Sequence, residues 1–94
     1  MSNPTLHVRI ISPQQLILDT EADSVSSKNS QGVFDILPQH ANFITLIENS
    51  PITVRLPNQK PLIFNFPLAI MFITENKVSI YTYIQPENTR SRNQ

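Results

Sequence analysis

The sequence predicts an all-β fold: a β-sandwich of about ten strands in two mostly antiparallel sheets. Three observations predict it. Apolar and polar residues alternate in short segments along most of the chain. No helical spacing persists for the ten or so residues that a helix needs. Eight prolines cut the chain, most of them between apolar segments, where a missing N–H costs no ladder bond.

The elements follow in order. Leu6, Val8 and Ile10 alternate with His7, Arg9 and Ile11, the period-two pattern of a half-buried strand. Comparable segments recur at 15–19, 22–28, 32–37, 43–48, 52–56, 61–66, 69–74 and 77–83. They are rich in Ile, Val, Phe and Thr, which fit a pleated surface. Pro57-Asn58-Gln59-Lys60 and Thr74-Glu75-Asn76-Lys77 have the composition of hairpin connections. Pro67 lies inside an apolar run and argues for an edge, a bulge or a break there. The whole chain, 1–94, reads as one domain with a core over about 6–86. Residues 1–4 and 87–94 are polar and aperiodic, and are expected to be loose.

Composition excludes several functions. Hydrophobic residues are 39% of the chain and charged residues 15%, which is too apolar for a disordered chain and too polar for a membrane protein. The longest apolar run, 62–73, is broken by Asn65 and Pro67 and is shorter than the about 20 residues of a spanning helix. No charged start and apolar core mark a signal peptide, so the chain is expected on the side where it is made. Seven basic and seven acidic residues are scattered singly. No basic stripe exists to neutralise phosphates, so nucleic acid is not an expected partner. The chain has no cysteine, which removes disulfides, thiolate chemistry and cysteine zinc sites.

No catalytic, cofactor-binding or metal-ligating residue emerges. One glycine, Gly32, cannot build a phosphate-cradling loop. Asp19, Glu21 and Asp23 share a face if their segment is a strand, but Ser24 and Ser30 stand where a calcium loop wants Gly and Glu. A solvated acidic edge is the better reading. His7 and His40 have no neighbouring His or Cys, and no nucleophile elbow is present. The Leu62, Phe64, Phe66 stripe reads as core before it reads as a ligand pocket.

One stretch is distinctive: Gly32-Val33-Phe34-Asp35-Ile36-Leu37-Pro38-Gln39-His40-Ala41. Gly32 permits positive φ at a strand start. Phe34 and Ile36 alternate inward, and Pro38 ends the strand. The same stretch resembles the pattern Gly-acidic-apolar-Gly-Ile-Leu-Pro-Gly-His-Ala of the epsilon subunit of rotary ATP synthases. Leu6 to Pro13 and Leu16 to Asp19 are similar to that family's opening hairpin. Ala22-Asp23-Ser24-Val25 resembles its next strand, and Asn76 to Ile80 its closing strand. The resemblance covers about residues 6–86. Departures are Val33 for an acidic residue, Asp35 and Gln39 for glycines, Asn42 for a proline, and Leu68-Ala69 for paired glycines. The C-terminal helical hairpin typical of the family is not expected here, and its regulatory functions are not carried over.

The resemblance implies a non-catalytic part of the central stalk, bound to the gamma subunit and the c-ring and coupling ion flow to ATP synthesis. It implies a peripheral place on the cytoplasmic face of the membrane, or the matrix or stroma in an organelle. Gly32, Val33, Asp35 and His40 are the expected partner-binding residues. An exposed apolar face, with Ile11, Ile17, Ile63, Met71 and Ile73 as candidates, would pack on gamma; the alternative for these residues is that both strand faces are buried within the domain. The alternative function is a free-standing module for carbohydrate or another ligand. The absence of Trp, with Tyr81 and Tyr83 the only tyrosines, speaks against a sugar binder.

Overall fold

The computed structural model describes residues 4–83. The tail expected over 87–94, residues 1–3 of the expected loose start, and any C-terminal hairpin lie outside them. Seven strands run in order: β1 (Leu6–Ile11), β2 (Leu16–Ala22), β3 (Ser24–Asn29), β4 (Gly32–Ile36), β5 (Phe43–Arg55), β6 (Leu62–Thr74) and β7 (Lys77–Thr82). Among the described residues there is no helix.

Two expectations are corrected. There are seven strands rather than about ten, and hydrogen bonds join them into one mixed sheet rather than two, in the order β2-β1-β7-β6-β5-β3-β4. All neighbours are antiparallel except β1 and β7. The expected segments 43–48 and 52–56 are one strand, β5, and 61–66 and 69–74 are one strand, β6. The prolines did not break them. Pro51 is tolerated opposite Asn65, and Pro67 falls where the ladder has a gap between Glu48↔Leu68 and Ser50↔Phe66.

That gap matters for everything outside it. Asn49, opposite Pro67, has φ 50, a left-handed conformation that disturbs side-chain alternation. Before it the inward residues of β5 are Phe43, Thr45 and Ile47, and after it Ile52 and Val54. In β6 they are Leu62, Phe64 and Phe66, then Ala69, Met71 and Ile73. Both strands slip by one at the same level, so the pairing register holds while the inward face switches.

Fifteen buried apolar residues, drawn from every strand, form one cluster. Among the described residues no helix covers the sheet. Leu6, Val8, Ile10, Val78 and Ile80 from one side of the sheet share that cluster with Val25, Ile36, Ile52 and Val54 from the other. A single sheet thus closes one core, with β5 and β6 contributing to it along their length. Asp23 is the corner between β2 and β3, and its N–H donates to Arg55 O at 2.7 Å.

Candidate docking surfaces

The register lays out the outer face of the β1–β7 half in rows. One row is Thr74, Lys77, His7 and Glu21; the next is Ile44, Phe72, Ser79, Arg9 and Asp19. A third is Leu46, Ile70, Tyr81, Ile11 and Leu16. Charge therefore gathers at one corner and apolar side chains cover the rest. Ile44, Leu46, Leu68, Ile70, Phe72 and Tyr81 are all exposed, Ile44 by 62%. The Phe72 and Tyr81 rings meet edge to face at 5.7 Å, which fixes both rings in an arrangement their quadrupoles favour. A contiguous exposed patch of this kind marks an interaction surface.

This patch differs from the expected one. Met71 and Ile73 are fully buried, because the slip at Pro67 turns 69, 71 and 73 inward. Ile17 is half-buried against the core, and Ile11 is half-buried at the patch border. Ile63 is exposed but belongs to the other half of the sheet. The Ala69 to Ile73 run is apolar on both faces, so its sequence carries the signal of a two-sided burial but not which phase faces in.

The four residues expected to bind partners are not one constellation. Gly32 opens β4 with φ 124, and no atom lies within 4 Å of where a Cβ would stand. Its role is conformational rather than steric. Val33 is 79% exposed. Asp35, on the same outer side of β4, accepts a hydrogen bond from Ser26 Oγ. Arg55 Nη1 donates to that Ser26 oxygen at 2.5 Å, so a polar chain crosses β5, β3 and β4. His40 sits in the loop from β4 to β5. Its ring lies 5.7 Å from Phe43, which in turn meets Phe34 at 5.6 Å. His40 Nδ1–H donates to Ala41 O at 2.7 Å. Val33 and Asp35 thus face outward, while His40 leans on an aromatic pair at the core margin.

His7 lies between carboxylates: Nε2 is 2.6 Å from Asp19 and Nδ1 is 2.6 Å from Glu21. Thr5 Oγ1 donates to the other Glu21 oxygen at 2.5 Å. The Glu21 hydrogen bond raises the His7 pKa above its ordinary value, with partial burial opposing it and Asp19 adding to it. Thr5 and then His7 hold the Glu21 carboxyl below the usual range. Among the described residues no cluster of His, Asp and Glu could hold a metal. Here the two ring nitrogens point to opposite sides, each already taken by a carboxylate. A 360 Å³ cleft between the β3–β4 turn and the β5 bend is lined by Lys28, Asn29, Glu48, Asn49 and Ser50, among others. No described helix is long and apolar enough to cross a membrane.

Fold and surface define an all-β domain with an exposed apolar outer face. The chain belongs to the ATP synthase delta/epsilon chain β-sandwich domain family, whose pattern it matches over residues 5–84. It is similar to the ATP synthase epsilon chain of Leptospira interrogans, 30% identical over 82 residues, covering 87% of this chain and 64% of that one. The epsilon chain of Campylobacter concisus is 32% identical over 75 residues, covering 80% and 58%. The chain of Nitratiruptor is 34% identical over 56 residues, covering 60% and 43%. The chain thus spans about half the length of these curated relatives. Its backbone resembles a chain of the Euglena gracilis mitochondrial ATP synthase, with TM-score 0.77, 12% identity, and coverage of 83% and 50%. It also resembles a chain of the Tetrahymena thermophila mitochondrial ATP synthase central stalk and c-ring, with TM-score 0.73, 10% identity, and coverage of 100% and 84%. At those identities the likeness is one of fold.

Proposed function

We propose that the chain is a non-catalytic central-stalk element of a rotary ATP synthase. In this reading it binds gamma through the apolar outer face and meets the c-ring through β4 and the 37–42 loop. It stays peripheral to the membrane, on its cytoplasmic side or the organellar equivalent. Its work is mechanical: it carries torque between rotor parts during ATP synthesis and makes or breaks no bond.

One observation carries the reading. Ile44, Leu46, Leu68, Ile70 and Phe72 are exposed together on one face of a rigid sheet, in a family of ATP synthase delta/epsilon chain domains. Monomers rarely leave such a surface to water. A sheet suits the task because its ladder bonds and packed core move as one body.

The test is co-elution with the matching gamma subunit on a sizing column. The unaltered chain should co-elute, and Ile70→Asp or Phe72→Asp should run alone while keeping its β-sheet circular dichroism. Co-elution of both variants at full yield would remove this face from the interface.

A further inference from the structure

We propose that His7, Asp19 and Glu21 form a proton-dependent latch that fastens the edge strand β2 to β1. Among the described residues β2 ends the sheet and pairs with β1 alone. His7 stands directly opposite Glu21, and Arg9 opposite Asp19, so the imidazole lies between two carboxylates spaced along β2. Both ring nitrogens are 2.6 Å from a carboxylate oxygen.

That geometry suits one protonation state. An imidazolium donates from both nitrogens. A neutral ring has one N–H, so its second nitrogen would turn a lone pair toward an anionic oxygen at hydrogen-bond distance. Loss of the proton to solvent must therefore release one of the two carboxylates. Asp19 and Glu21 sit two positions apart on β2, and releasing either frees that strand from a side-chain tie.

The surrounding charges are few. Arg9 on β1 and Lys77 on β7 face the same corner, Lys77 directly across from His7. Glu75 stands at the tip of the β6–β7 turn. Thr5, just before β1, holds the far oxygen of Glu21. The raised His7 pKa agrees with the latch. The hold on β2 is then complete while His7 is charged and weakens as pH rises through its folded value.

The experiment is an NMR titration of the full chain between about pH 5 and pH 9, reading the His7 ring and the amide exchange of β2. The His7 midpoint is expected above the ordinary value of about 6.5. β2 protection, corrected for intrinsic exchange, is expected to fall roughly two- to fivefold through that midpoint. Asp19→Asn and Glu21→Gln, both at exposed positions, are each expected to lower the midpoint with the fold intact. A midpoint at or below the ordinary value overturns the latch. So does a midpoint that neither variant moves, or β2 exchange that ignores the His7 titration.

Discussion

Asn76 Oδ1 accepts a hydrogen bond from the backbone N–H of Gln39 at 2.5 Å, joining the β6–β7 turn to the loop between β4 and β5. The same residue's backbone carbonyl accepts from His7 N–H at 2.8 Å. One turn residue therefore ties three segments that are far apart in sequence. Glu75 and Asn76 both have positive φ, 50 and 64, the geometry of a type I′ hairpin turn. Asn76→Ala loses the side-chain acceptor and places Ala in a left-handed conformation, so about 2 kcal/mol of stability should go. Asn76→Gly loses the acceptor alone and should cost about 1 kcal/mol. Urea denaturation of both variants separates the contributions, and equal losses would show that the conformational part is negligible.

Gln39 itself has φ 68. A side chain there costs about 1–2 kcal/mol relative to the right-handed region. Gly returns part of that through its greater freedom in the unfolded chain. Gln39→Gly should therefore stabilise by about 0.5 kcal/mol, seen as a rise in the urea midpoint at constant slope. A fall in the midpoint would mean that the Gln39 side chain holds the loop in a way its backbone does not reveal.

The glycine at this place in the family pattern shows what the sequence could and could not tell. A departure from Gly to Gln was visible, but the strained φ that gives it meaning needed the backbone. The outline was legible: 6–11 was expected for β1 and is observed, and 77–83 was expected for β7, observed as Lys77–Thr82. Their cores follow strict alternation, which a sequence displays directly. β5 and β6 are legible only in part: Pro67 argues for a bulge or a break and a gap is found there, but in one dimension Pro51 and Pro67 also divide each long strand in two. Whether a proline breaks a strand depends on whether its position needs a ladder N–H, and that is set by the partner strand. On the candidate surfaces Val33 and Asp35 are exposed, whereas Met71 and Ile73, candidates for the apolar face, are buried.

The slip at Pro67 has a direct energetic consequence. Met71 is fully buried and Ile70, its neighbour, is 39% exposed. Met71→Ala should cost about 2–5 kcal/mol by the lost transfer and the cavity left behind. Ile70→Ala lies on the outer face and should cost under about 1 kcal/mol. Thermal melts of the pair decide the phase. A reversed order of losses would place Ile70 in the core and undo the described switch.

Glu21 gives an acid-side test of the charged corner. Its carboxyl is held below the ordinary value of 4.5, chiefly by Thr5 and then by His7. A lowered carboxyl pKa gives stability that is present above the unfolded value and lost as pH falls through the folded one. The raised His7 pKa has the opposite sense: its contribution is present below 6.5 and fades as pH climbs through the folded value. The midpoint difference between the unaltered chain and Glu21→Gln should be widest between pH 4.5 and 6.5. It should narrow on both sides, and a difference that is flat across this range would detach Glu21 from His7.

Val33, Asp35 and His40 allow the proposed c-ring contact to be separated from folding. Val33 is so exposed that Val33→Lys should change stability by less than about 0.5 kcal/mol. Asp35→Lys breaks the bond from Ser26 and sets a cation near Arg55, an exposed change expected to cost at most about 1 kcal/mol. His40→Ala loses the ring contact with Phe43 and should cost about 0.5–1.5 kcal/mol. If this side of the molecule meets the rotor, Val33→Lys and Asp35→Lys should reduce assembly with gamma and the c-ring by far more than these small losses explain. Quantitative pull-down on the reconstituted rotor, beside a melt of each variant, makes the comparison. Assembly that tracks stability alone across all three would leave β4 and its loop as architecture, and the c-ring contact would have to be sought on another face.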